Sequence, residues 1–112
     1  MSLRDELSEE LYAALRGRYA VAPLIERYPD LTVDDAYAIS LGFLARRQND
    51  GERVVGKKIG VTSKAVQDML GVHLPDFGFL TDWMRTGEEI DIEAKALIAP
   101  RAEAEIAFVL KD

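Results

Sequence analysis

The sequence predicts an α/β (α+β) fold in which N-terminal helices precede a set of strands. Apolar residues recur at helical spacing in the first half of the chain, whereas β-branched residues alternate with others in the second half. No repeat, low-complexity tract or linker interrupts the 112 residues. We therefore predict a single domain over 1–112, with a helical leader over 1–51 followed by strands over 52–112.

Two helices of the leader are indicated by apolar periodicity and by capping residues. Residues 3–17 carry leucine and alanine at three- and four-residue steps, and a serine precedes them as a cap. A second helix is predicted after Thr32, because Asp35 stands at the third helical position as in a capping box, and it should end near Gly51. The proline-containing segment 20–30 is predicted to be an extended connection with a short turn.

The segment 53–61 is predicted to be a strand, since β-branched residues alternate around two glycines and two lysines. Glycine weakens a strand and is tolerated where a ligand or another backbone comes close, so this strand should border a cavity. Lys57 and Lys58 are consecutive and must leave opposite faces. We expect one of them to be solvated and the other to lie, paired, near carboxylates.

Thr62 and Ser63 precede a short helix predicted over 64–70, which Gly71 ends. A helix start can hold a carboxylate through its free N–H groups, so both residues are candidate substrate-binding positions. Capping explains the two hydroxyls without a ligand and is the favoured interpretation.

The segment 72–82 is predicted to be a proline- and glycine-punctuated loop that runs into a short apolar strand. Asp76 lies there among apolar neighbours. Although Pro-Asp is ordinary turn chemistry, enclosure would raise the pKa of this carboxyl group and suit it to act as an acid or base. His73 is the single histidine, and a catalytic role is not favoured for it because a lone histidine lacks the partner geometry that proton transfer or metal binding requires. Residues 90–93 alternate as in a strand.

A further strand is predicted over 101–110, where Glu103 and Glu105 occupy positions that would leave one face. Their Cα atoms would be roughly 6.5 Å apart, so both carboxylates can reach one point. Oxygen ligands of this kind suit Mg²⁺ or Mn²⁺. The alternative is an edge strand with one solvated face, and periodicity does not decide between the two.

Composition narrows the classes of function. A net charge of -6 and a pI near 4.8 argue against nucleic-acid binding, which needs a basic face. No apolar run approaches the length of a membrane span, and the absence of cysteine excludes disulfides and thiolate zinc sites. The first residues show no secretory signal, so we expect a cytoplasmic protein.

Three stretches of the chain resemble the 2-hydroxypenta-2,4-dienoate (2-oxopent-4-enoate) hydratases of aromatic meta-cleavage pathways, within the fumarylacetoacetate hydrolase superfamily. They are VGKKIGVTS (55–63), MLGVHLPDFGFLTD (69–82) and PRAEAEIAF (100–108), and the leader matches more loosely around 35–39. The resemblance implies a fumarylacetoacetase-like mixed β-roll, with 52–112 forming the first strands of the catalytic domain.

The resemblance also implies a set of site residues. Glu103 and Glu105 fall on two metal-binding glutamates of a Mg²⁺- or Mn²⁺-dependent lyase. Lys58 falls on the family's active-site lysine, Lys57 on a variable position, and Asp76 on a loop aspartate implicated in proton transfer. Family members are more than twice as long, so the rest of the β-roll and a third metal glutamate are expected beyond residue 112, and the 112 residues alone should bind metal weakly and show little activity.

The implied reaction is addition of water to 2-hydroxypenta-2,4-dienoate, which gives 4-hydroxy-2-oxopentanoate. Two alternatives stay open: 4-oxalocrotonate decarboxylase, a sister enzyme on the same fold, and a non-catalytic interaction module that lacks the third metal ligand. The resemblance further implies a homo-oligomer and a complex with a pathway decarboxylase or aldolase.

Overall fold

The computed structural model describes residues 1–88 and 91–112. In that part of the chain the elements are α1 (Leu3–Gly17), α2 (Leu24–Arg27), α3 (Val33–Asn49), β1 (Val54–Gly60), α4 (Lys64–Leu70) and β2 (Asp76–Thr81). Single 3-10 turns follow at Asp82–Met84 and Ala94–Ala96. This combination of elements confirms the predicted α+β class, and α2 is the short turn expected within the connection.

Both long helices begin at the predicted caps. The Ser2 hydroxyl accepts a hydrogen bond from the Asp5 N–H at 3.2 Å, and the Thr32 hydroxyl accepts one from the Asp35 N–H at 3.1 Å. Each aspartate in turn accepts from the cap backbone, which completes two capping boxes. Hydrogen bonds from Thr32, and then one from Arg4, lower the pKa of Asp35 to about 2.

The leader is held together by close packing of α1 on α3. The Ser8 hydroxyl is buried and donates to a carbonyl oxygen, with 2.7 Å to Arg4 O and 2.9 Å to Ile39 O. Gly42 permits this approach, because a Cβ there would overlap the Ser8 hydroxyl. The buried apolar side chains beside this crossing are Leu7, Ala14, Ile39 and Leu44.

The two strands form an antiparallel sheet in which Lys57 pairs with Phe79, Lys58 with Gly78 and Gly60 with Asp76. The register is irregular between Val54 and Gly56. β2 begins at Asp76, so this residue opens a strand and does not lie in the predicted loop. The expected strand over 53–61 and the expected helix over 64–70 are confirmed to within a residue.

A buried ion-pair network joins the leader to the sheet. Glu52 accepts hydrogen bonds from Arg47 at 2.6–3.0 Å, from Arg16 at 2.7 Å and from the hydroxyl of Thr81 on β2. The Glu52 side chain has no exposed surface and that of Arg47 is 9% exposed. Burial on its own raises the pKa of Glu52, but the hydrogen bonds from Arg47, Thr81 and Arg16 outweigh it and lower the pKa to about 2.

The strand predicted over 101–110 is wrong for the described chain, since 101–112 contain no regular secondary structure. A strand requires a neighbour for its backbone N–H and C=O groups, and no described strand pairs with this segment. Its apolar side chains are accordingly exposed, by 83% at Phe108 and 100% at Val109. Residues 91–93 are likewise not in a strand, and Ile90 lies outside the described residues.

None of the described helices combines the length and the apolar character that crossing a bilayer demands.

Candidate functional site

Lys58 and Asp76 lie on the same face of the sheet. Lys58 is paired with Gly78, and Asp76 stands two positions before Gly78, so the two charged side chains are one diagonal step apart. The Asp76 side chain is exposed, and the apolar enclosure predicted around it is therefore absent. The sheet register thus brings together two residues that the sequence places 18 positions apart.

Lys58 is paired with one of the two predicted metal-binding glutamates. Its Nζ donates to Glu105 Oε1 at 2.9 Å, and the side chains are 47% and 53% exposed. The hydrogen bond to Glu105 is the main reason that the pKa of Lys58 is raised, and the charges of Glu103 and Asp76 act in the same direction. The predicted pairing of one lysine with carboxylates is confirmed, although this lysine is half exposed and not buried.

Three carboxylates therefore stabilise the ammonium group of Lys58, one from the sheet and two from the segment 101–112. Glu105 touches the ammonium, whereas Glu103 and Asp76 act on it through their charge. A cluster with this charge distribution can hold a cation, or it can present an ammonium to an anionic substrate.

The donor chemistry at Glu103 and Glu105 fits a hard divalent cation, because both side chains supply carboxylate oxygens. Within the described ranges, however, no group of three or more histidine, aspartate or glutamate side chains converges as a complete metal site would. Glu105 Oε1 is engaged by Lys58. The described residues therefore contain no complete metal site, and Glu103 and Glu105 stay predicted ligands.

Lys57 leaves the opposite face of β1, as the sequence predicts. Its Nζ lies 5.7 Å from the ring centroid of Phe79, its partner in the register. Phe79 in turn meets Phe77 edge to face at 6.1 Å, and Phe77 stacks on Tyr37 of α3 at 4.7 Å. Lys57 therefore lies on an aromatic face that touches α3 through Tyr37, opposite the face that carries Lys58.

The hydroxyl pair after β1 has a structural explanation. Ser63 Oγ accepts a hydrogen bond from the Val66 N–H at 3.2 Å and so caps α4, as predicted. Thr62 is exposed beside it. The chain turns into this cap through Val61, whose φ of 55° lies in the left-handed region that a β-branched residue adopts only under strain.

Sequence reasoning missed the Glu52 network and the stacking of Phe77 on Tyr37. A charged residue beside the Asn49–Gly51 turn has the appearance of ordinary surface, and no local pattern marks Glu52 as buried. The alternation Phe77-Gly-Phe79 indicates one apolar strand face, but it does not reveal which helix covers that face. His73 is exposed in the segment between α4 and β2.

Comparison with solved structures defines the class of fold. The chain matches 4-oxalocrotonate decarboxylase from Pseudomonas putida G7 with a TM-score of 0.69 and 30% sequence identity, over 71% of this chain and 31% of that one. That structure is complexed with calcium and acetate, and a second structure of the same enzyme, with the same TM-score, is complexed with magnesium and adipate. The fold is thus that of the fumarylacetoacetase-like α+β enzymes over the matched residues.

Comparison with curated sequences gives the family. The chain is 61% identical over 112 residues to 2-hydroxypent-2,4-dienoate hydratase of Pseudomonas putida, covering 98% of this chain and 50% of that protein. It is 59% identical over 105 residues to 2-hydroxyhexa-2,4-dienoate hydratase of Comamonas testosteroni, covering 92% and 40%. Over nearly its whole length the chain is therefore similar to the 2-hydroxypenta-2,4-dienoate hydratases, as its motifs predict.

The chain spans half or less of the length of these curated relatives. No protein-family model matches the chain.

Proposed function

We propose that the protein containing these residues is a hydratase that adds water to 2-hydroxypenta-2,4-dienoate and forms 4-hydroxy-2-oxopentanoate. The proposal is supported by relatives at 59–61% identity that are named hydratases of such dienoates. The observation that carries it is the pairing of Lys58 Nζ with Glu105 Oε1 at 2.9 Å on the sheet face that also holds Asp76.

In this proposal Lys58 binds the negative charge of the substrate. Its ammonium group is half exposed and already stabilised by neighbouring carboxylates, so it stays protonated when the substrate arrives. A carboxylate or developing enolate near Nζ would take the place of Glu105 as its partner. Lys58 thus stabilises negative charge where it develops.

Asp76 is proposed to move the proton. Its carboxylate is exposed at the start of β2 and lies on the same face as Lys58, so it can reach a substrate held by that lysine. As a base it would take the proton of the 2-hydroxyl group, and as an acid it would return a proton to carbon. Thr62 and Ser63 are proposed to line the substrate's carboxylate end, next to the N-terminus of α4.

Glu103 and Glu105 are proposed to hold a divalent cation, Mg²⁺ or Mn²⁺, together with further oxygen ligands. When bound, such a cation supplies Lewis-acid polarisation of the substrate's carboxylate and 2-oxygen. Glu105 would be shared between such a cation and Lys58, and with Glu105 engaged by the cation the Lys58 ammonium group would be free to bind the substrate.

The test is hydration of the dienol by the whole protein, followed as loss of its absorbance, with and without Mn²⁺. We expect metal-dependent turnover, and its absence with the metal supplied would refute the proposal. Calorimetric titration with Mn²⁺ should show tight binding to the wild type and binding weaker by at least about tenfold in Glu103→Gln and Glu105→Gln. The surface variant Glu93→Gln serves as the matched control.

Assays on the same whole protein distinguish two alternative functions. The structural match favours a 4-oxalocrotonate decarboxylase, and release of carbon dioxide from that substrate would place this activity ahead of hydration. The incomplete ligand set within the described ranges favours a non-catalytic interaction module. Equally weak Mn²⁺ binding by the wild type and both glutamine variants would support the module.

The remaining expectations concern partners and location. We propose a small 2-oxo acid as the substrate, a homo-oligomer, a complex with a pathway decarboxylase or aldolase, and residence in the cytoplasm. The predicted lack of nucleic-acid binding stays an expectation that agrees with the net charge of -6.

A further inference from the structure

Gly60 and Asp76 face each other at one end of the sheet, where β1 ends and β2 begins. A Cβ on Gly60 would lie 2.6 Å from Asp76 Oδ1 and 3.8 Å from Asp76 Cγ. The first distance is shorter than van der Waals contact allows, so the carboxylate occupies the space that any larger residue at position 60 would fill.

Space, and not backbone conformation, is what requires glycine at this position. The glycines with positive φ among the described residues are Gly51 and Gly71. Gly60 has a backbone that any residue can adopt, and glycine in a strand has an entropic cost without a packing benefit. A side chain at position 60 would therefore disturb the position of the Asp76 carboxylate.

Gly60 differs from Gly56 and Gly78, the other glycines on this sheet face, in what a Cβ atom would contact. A Cβ on Gly56 would lie 3.7 Å from Leu80 Cδ1, which is ordinary contact, and a Cβ on Gly78 would meet nothing within 4 Å. Both positions could therefore accept alanine without moving a neighbour. Of these three glycines, only Gly60 is in contact with a charged side chain.

We propose that Gly60 is a positioning residue, whose missing side chain lets the Asp76 carboxylate lie across the end of β1 on the face that carries Lys58. This inference rests on the proposed function, because it gives the carboxylate held there the task of proton transfer. A methyl group at position 60 displaces the carboxylate from that place, since Asp76 can rotate away whereas the paired backbones cannot separate as easily.

The kinetic test compares Gly60→Ala with Gly56→Ala, a matched change on the same strand and the same face. We expect Gly60→Ala to lower kcat about ten- to a hundredfold, as displacement of a catalytic group by about an ångström does, with KM nearly unchanged and an altered pH–rate profile. Gly56→Ala should retain wild-type kcat. Wild-type kcat and pH profile in Gly60→Ala would overturn the proposal.

A double-mutant cycle gives a readout that does not depend on activity. Gly60→Ala is made in the wild type and in Asp76→Ala, which lacks the overlapping oxygen, and urea unfolding is measured for all four proteins. We expect alanine at position 60 to raise the unfolding midpoint more in the Asp76→Ala background than in the wild type. If alanine at position 60 changed the unfolding midpoint equally in both backgrounds, the proposed contact between position 60 and Asp76 would be refuted. If the wild type did not hydrate the dienol, the proposed function would fail, while the cycle would still decide whether Gly60 makes room for Asp76.

Discussion

Replacement of Glu52 by glutamine is the sharpest test of how the helical leader is joined to the sheet. The change keeps the shape of the side chain and removes its charge. Arg47, whose side chain is 9% exposed, would then be left as a buried cation without its bidentate partner, and Arg16 would lose one of its two carboxylates. Removing one member of a buried ion pair is far more costly than losing a surface pair.

The magnitude follows from the pKa of Glu52. Its lowering from 4.5 to about 2 corresponds to about 3 kcal/mol of folding free energy at neutral pH. Because the pKa is lower in the folded state, this contribution is fully present above pH 4.5 and is lost as the pH falls towards 2. About half of it should remain at pH 3.

Urea unfolding of the whole protein, followed by circular dichroism at pH 7, 5 and 3, measures this difference. We expect Glu52→Gln to unfold with about 3 kcal/mol less free energy than the wild type at pH 7, and the gap to narrow by half or more at pH 3. Glu93→Gln, which breaks an exposed 3.7 Å pair with Lys95, is the control and should match the wild type within about 0.5 kcal/mol. A gap below about 1 kcal/mol at pH 7, or one independent of pH, would refute the reasoning.

Three further changes test the site and the fold. Lys58→Ala should lower kcat by about a hundredfold or more without unfolding the protein. Lys57→Ala should have only a mild effect on kcat, because Lys57 lies on the aromatic face. Equal losses of kcat in the two variants would contradict the assignment of faces. Val61→Gly should raise the free energy of unfolding by roughly 1 kcal/mol, because glycine adopts a φ of 55° without strain. A lower free energy of unfolding than that of the wild type, measured in urea, would show that no strain is stored at Val61. Gly42→Ala should lower that free energy by roughly 1–3 kcal/mol, since its methyl group overlaps the Ser8 hydroxyl, and Ser8→Ala in the same chain should recover part of the loss; a neutral effect would contradict the close crossing.

Local signals were sufficient for most of the elements. The capping boxes at Ser2 and Thr32, the cap at Ser63 and the stop at Gly71 involve residues a few positions apart, so the sequence contains all the atoms that decide them. The opposite faces of Lys57 and Lys58 follow from strand geometry alone.

The segment 101–110 shows where local signals are not sufficient. Its alternation and β-branched content resemble a strand, but backbone hydrogen bonds must come from another segment, and none of the described strands provides them. The same limit applies to a metal site, because the residues that would complete the ligand set of Glu103 and Glu105 are not fixed by their spacing.

What the sequence by itself determined about this protein is therefore its longer helices, the opposite faces of Lys57 and Lys58, the resemblance to the hydratases and the choice of candidate site residues. Only the tertiary structure decided that Glu52 is the buried joint between leader and sheet, that Glu105 pairs with Lys58, and that Gly60 leaves room for Asp76. The physical reason is range, because caps and periodicity act over a few residues. By contrast, the contacts of Glu52 with Arg16 and Thr81, of Glu105 with Lys58 and of Gly60 with Asp76 join positions 16 to 47 apart, and they depend on register and packing.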